Sequence, residues 1–235
     1  MHTATAITTR MITITTMRDV ALLRLLWLSS PALPLGAYAY SRGLELAVDA
    51  GWVTDADTAT DWIGGVLERQ VATLDAPVLA RLLDAWLDDD HARVAFWDDF
   101  LCAARETREA LLEDVQLGLS LRKVLRELSV PEPARPPRSY PAAFARACAH
   151  FGIGRDEALL GYLFAFVEGQ VTAAIKLVPL GQTSGQTVLA RLMARVPTLV
   201  AEAGRLCDHE LGSHAPGLAL ASALHETQYT RLFRS

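Results

Sequence analysis

The residues of this chain best suited to chemistry stand close together late in the sequence: Cys207, Asp208, His209, Glu210 and His214. Thiolate and imidazole are good ligands for nickel, copper or zinc, so the cluster is a candidate site for a metal-dependent hydrolase or for reversible nickel binding. Its spacing argues against a preformed site. Cys207 and His209 are two apart, which on a helix points them to different faces. The competing reading is a helix end closed by Gly212, with His209 complementing the helix dipole. Glu45, Glu168 and Glu226 are single carboxylates with no partner visible in the sequence, and no acid and base pair follows from them. The phosphate-cradling GxxxxGKS or GxxxxGKT loop is absent, as are GxSxG, HExxH and paired CxxC motifs. The expectation is a protein that catalyses nothing by itself, whose nucleotide chemistry belongs to a partner, and in which Cys207, His209 and His214 are the residues to watch for a metal.

Three other segments have compositions that do not suit their positions. Gly36 to Gly43 brackets Tyr38, Tyr40 and Arg42 between glycines just before a helix. One reading is a tight loop with its aromatics tucked beneath it; the other is an interface, where Tyr and Arg dominate energetics. Lys176 to Gln182 ends an apolar helix at a lone lysine before a Pro-Gly loop, which dipole complementarity or a partner surface would each explain. The stretch His225 to Ser235 places Tyr229, Leu232 and Phe233 beside Arg231 in a tail. That tail either packs on its own domain or orders on a partner.

The elements around these segments are read as helices. Val20 to Ser29 is apolar on nearly every face and predicts a helix buried all round, stopped by Pro31 and Pro34. Thr54 and Asp57 have capping-box spacing, after which Trp62, Ile63, Val66, Leu67 and Val71 form one stripe. The pattern restarts at Asp75-Ala76-Pro77, with Val78, Leu79, Leu82, Leu83, Trp86 and Leu87 on one face. Further helices are expected over 92–128 with one interruption, 141–151, 156–178, 186–203 and 217–226. Five prolines fall within residues 130–141, which is read as a surface linker. No segment alternates as a strand does, so the class is all-α, a single-domain bundle of about ten helices over residues 18–235, with an interaction tail at 227–235. Residues 1–17 are read as a disordered or mis-assigned leader.

Composition narrows the setting. At 235 residues the chain fits one domain, and although 51% of it is hydrophobic, polar residues and glycines interrupt the apolar runs that a membrane span requires. A net charge of −5 with no run of Lys or Arg gives no footprint for nucleic acid. Cys102, Cys148 and Cys207 are widely spaced and read as buried thiols. No secretory signal is recognised, so the expected location is the cytoplasm.

Taken in order, Ser30 to Glu45 (SPALPLGAYAYSRGLE), Ala173 to Gln182 (AAIKLVPLGQ) and His225 to Ser235 (HETQYTRLFRS) resemble the urease accessory protein UreF family. The resemblance runs from about Val20 to the last residue, departing at Glu168-Gly169-Gln170, where Gly stands in place of the more usual Asn. It implies an all-α homodimer that binds the accessory protein UreD, also called UreH, recruits the GTPase UreG to apo-urease and so serves nickel insertion. Nickel and GTP would be handled by that complex and not held stably by this chain. Carried over to matching positions, Tyr38 and Arg231 are expected to dock the partner assembly and Lys176 to tune the GTPase. Tyr40, Arg42, Gln182, Tyr229, Leu232 and Phe233 join them as expected partner contacts.

Overall fold

Helix starts are fixed by side chains that accept the N–H groups a first turn leaves free. Asp55, Asp90, Thr107 and Ser139 each accept an N–H three residues on. Asp55 and Thr58 do so reciprocally, which sets the capping box one residue after Thr54 and leaves Asp57 out of it. The computed structural model describes residues 18–235, and the leader expected at 1–17 lies outside them. Its helices are α1 (residues 18–28), α2 (Leu44–Asp49), α3 (Ala56–Val66), α4 (Ala76–Leu87), α5 (His91–Ala103), α6 (Arg108–Glu127), α7 (Tyr140–Phe151), α8 (Arg155–Leu177), α9 (Gln182–Met193), α10 (Val196–Ala203) and α11 (Pro216–His225). There is no strand among the described residues, and the all-α bundle of about ten helices stands as expected.

The core lies where α4 and α7 pack on each other and on α5, α6 and α8. Leu79, Leu82, Leu83, Leu121, Leu125, Phe144, Leu163 and Val167 are almost wholly removed from water there. Each such side chain contributes roughly 1.5–3 kcal/mol of transfer free energy. By length and composition α8 could cross a bilayer, contrary to the reading that every apolar run is interrupted; here most of it is buried inside the bundle.

Several local expectations change. The helix α1 is not buried all round: Leu25 packs against Gly161 of α8 and Leu28 is buried, while Val20, Leu22, Leu23 and Leu26 are more than half exposed. Asp75-Ala76-Pro77 does not start a new helix. From α3 to α4 the backbone continues through a π-helical stretch, Leu67–Asp75. Pro77 has no N–H to give the carbonyl of Thr73, four residues back, and the amide of Gly212 takes that acceptor at 3.2 Å. The amide of His214 likewise donates to Arg69 O at 2.7 Å. The span read as one helix over 186–203 breaks at residues 194 and 195, and Pro197 opens α10. Tyr140 and Pro141 form the first turn of α7, so the proline-rich stretch ends sooner than residue 141. It is anchored where Asp98 accepts the amides of Arg138 and Ser139 at 2.9 and 2.8 Å.

Candidate functional site

The loop before α2, the end of α8 and the chain's last residues meet on one side of the molecule. The loop turns through three left-handed residues, Gly36, Arg42 and Gly43, with φ of 78°, 50° and 74°. Glycine accepts this conformation without strain; arginine does not. Two contacts hold Arg42 there: its Nε donates to Glu113 Oε1 at 2.6 Å, and its guanidinium lies 5.2 Å from the centre of the Phe166 ring. Burial works against the Arg42 charge, yet Glu113 beside it holds the guanidinium above its ordinary range. At Gly43 a Cβ would meet the Cβ of Ala221 at 3.1 Å, so the missing side chain lets α2 pack on α11.

The tail runs back across this loop by main-chain hydrogen bonds. Arg234 N donates to Ala39 O at 2.8 Å, and Ser41 offers both its amide and its hydroxyl to Ser235 O, each at 2.6 Å. The Ser235 hydroxyl donates to Glu113 Oε2 at 2.7 Å. Glu45, buried on α2, accepts the amides of Leu232 and Phe233 at 2.5 and 2.9 Å and faces His225 Nε2 at 3.1 Å. Glu109 on α6 faces the other ring nitrogen at 2.7 Å and accepts from Arg231 Nη1 at 2.6 Å.

Lys176, in the last turn of α8, completes the junction. Its Nζ lies 6.0 Å from the centre of the Tyr38 ring and 5.9 Å from that of Phe233, within cation–π range of both. Tyr38, Lys176 and Phe233 therefore form one cluster. Tyr38 is not tucked under its loop: 72% of it is exposed, as are 69% of Leu232 and all of Tyr229, while Phe233 is buried. The tail packs on its own domain through its backbone and Phe233, and still turns apolar side chains outward. Tyr40 is half-buried, and behind it a cavity of about 120 Å³ is lined by Arg42, Glu113, Phe166 and Gln170. Gln182 stands exposed in the first turn of α9 and makes none of these contacts.

The residues watched for a metal do not converge: among the described residues no three His, Cys, Asp or Glu side chains are placed to hold an ion. Cys207, His209 and His214 are exposed, and no helix ends at Gly212; His209 lies in a short 3-10 turn, Asp208–Glu210. Arg81 pins that turn through Asp208 Oδ1 at 2.8 Å and Leu206 O at 2.7 Å. The segment is occupied by structure, since its amides complete the π-helical stretch. Cys102 and Cys148 are the buried thiols; burial pushes the Cys102 thiol up to about 11 and that of Cys148 higher still.

Sequence reading missed Glu45, Glu109, Glu113 and His225 as members of one cluster. A signal for two of them was present. His225 falls in phase with Leu218, Ala221 and Ser222 on the inward stripe of α11, and Glu45 stands among the apolar residues of α2, places where a charge needs a partner. Beside the cluster, the largely buried Arg105 side chain bridges Asp75 and Asp114 at 2.5 and 2.9 Å.

The chain is thus a helical bundle in which a loop and a tail are stitched together, with Tyr38, Tyr229 and Leu232 facing out. The family model for UreF matches residues 53–193. Relatives described as urease accessory protein UreF include those of Alkalilimnicola ehrlichii, 48% identical over 90% of this chain and 95% of the relative, and Chromohalobacter salexigens, 48% identical over 92% and 95%. That of Azoarcus sp. is 49% identical over 91% of this chain and 95% of the relative. The chain belongs to the UreF family of urease accessory proteins.

Proposed function

We propose that this chain serves urease maturation in the cytoplasm as a non-catalytic platform. It binds UreD (UreH), and through that complex it recruits the GTPase UreG to apo-urease and regulates when nickel is inserted. Nickel and GTP are handled by the assembly. The observation that supports this reading is the convergence of the 36–43 loop, Lys176 and the tail into one face that leaves Tyr38, Tyr229 and Leu232 in solvent. Large aromatic and apolar side chains beside arginine suit a binding hot spot. Tyr38 and Arg231 dock the partner assembly, and Lys176, between two aromatic rings, tunes the GTPase. The chain acts as a homodimer, for which the exposed apolar face of α1 is a ready surface.

Deleting Tyr229 to Ser235 tests the reading. The truncated chain is expected to lose co-purification with UreD while the helical bundle keeps its far-ultraviolet circular dichroism. Undiminished co-purification would sink the tail's role.

A further inference from the structure

One charged side chain stands in the middle of α7, a helix buried along its length from Tyr140 to Cys148. Arg146 is only 6% exposed. Among the described residues neither of its terminal nitrogens, Nη1 and Nη2, has a hydrogen-bond partner, and both are shut off from solvent. A guanidinium keeps its charge in proteins, and burying it with donors unmet is costly unless an anion comes to them. Burial holds Arg146 below its ordinary range; Glu132 counters that effect and Arg122 adds to it. Glu132 is already engaged elsewhere. Arg122 Nε and Nη2 both donate to its Oε1, at 2.8 and 2.6 Å, and Arg126 Nη1 lies 3.9 Å from its Oε2. One carboxylate thus stands among three guanidiniums, while Lys123 and Glu127 lie exposed on the same helix as Arg122.

Glu132 belongs to the proline-rich segment, which is held by ion pairs more than by packing. Its side chain is 26% exposed, and a cavity of about 130 Å³ separates Pro133 to Pro137 from Trp86, His91 and Val94. The segment therefore has room to move without unpacking the core. We infer that Arg122 of α6 and Arg146 of α7 form the floor of a site for a tetrahedral oxyanion of the phosphate class, and that the Glu132 carboxylate stands in for this anion until displaced. A planar carboxylate fills one arginine fork, as Glu132 fills that of Arg122. A tetrahedral anion presents oxygens in several directions and meets forks from two helices at once. On binding, the Arg146 donors gain an acceptor, Glu132 turns to solvent, and its part of the segment is released from Arg122. None of the residues of the docking face takes part, so the inference does not rest on the platform reading.

Titrating the full chain with inorganic phosphate at neutral pH, with ionic strength held constant by chloride, tests the site. In proton–nitrogen NMR the Nε–H resonances of Arg122 and Arg146 should shift together and saturate at one phosphate per chain. Acetate, which serves a single fork, should need a concentration at least about tenfold higher to move them. Arg146→Met replaces the buried charge with an apolar side chain of similar reach, a change that buried arginines often tolerate. By calorimetric titration it should bind phosphate at least about tenfold more weakly than the parent. Glu132→Gln removes the competing carboxylate and should bind phosphate more tightly. An Arg146 resonance indifferent to phosphate, equal binding by the parent and Arg146→Met, or an equal response to acetate would overturn the site. Should Arg146→Met not fold, the Arg146 resonance of the native chain and the Glu132→Gln titration still decide.

Discussion

At Gly43 a single hydrogen atom separates a packed junction from a clash. A methyl there would sit against Ala221 in a left-handed backbone, so Gly43→Ala should cost about 1–2 kcal/mol and loosen α2 from α11. Urea unfolding would register the loss, and an unchanged midpoint would contradict the packing described. The thiols give a second prediction. Cys207 is exposed, while burial keeps Cys102 and Cys148 inaccessible and, at neutral pH, protonated. Iodoacetamide at pH 8 should modify one thiol in the native chain and the other two only on unfolding, as mass spectrometry would count. What residue types alone conveyed at this scale was the oddity of Tyr38, Lys176 and the tail. That they share one cluster depends on where α8 ends and how the tail returns. Glu45 and His225, far apart in sequence, could be paired only once α2 and α11 were seen in contact.

The elements differ in how plainly the sequence announces them. Helices with one apolar stripe, α3 and α4 among them, are readable from their periodicity, although the cap of α3 falls one residue later than the spacing of Thr54 and Asp57 suggests and the cap of α6, Thr107, is not read at all. The π-helical stretch is not, because it depends on the carbonyl of Thr73, freed by Pro77, being met by Gly212, far along the chain. Nor could composition separate two fates for α1, since an apolar helix suits burial in its own core and burial against another chain equally well. Two glycines test the packing with opposite signs. In α6, a Cβ at Gly118 would strike the backbone carbonyl of Arg138, which cannot yield as a flexible side chain can. Gly118→Ala should therefore destabilise the chain by about 1–3 kcal/mol through overpacking, despite alanine's better helix propensity. In α8, Gly169 has open space around its missing Cβ, and Gly169→Ala should stabilise by about 0.5–1 kcal/mol. Calorimetry would place the two melting temperatures on either side of the parent's; the same sign for both would refute the account of these helices.

For the molecule as a whole, the platform reading assigns different work to different faces. Val20, Leu22, Leu23 and Leu26 on α1 are proposed to pair two copies of the chain, and the loop, Lys176 and tail to meet UreD. Leu23→Asp combined with Leu26→Asp should convert a dimer to a monomer by light scattering; a doubly substituted chain that stays dimeric would move the pairing elsewhere. The central claim is met most directly by mixing the purified chain with its UreD and UreG counterparts, adding GTP and nickel, and following complex mass and urease activation. The account predicts a defined complex containing all three proteins that activates apo-urease and is lost with the tail, whereas no defined complex, or activation indifferent to this chain, would contradict it.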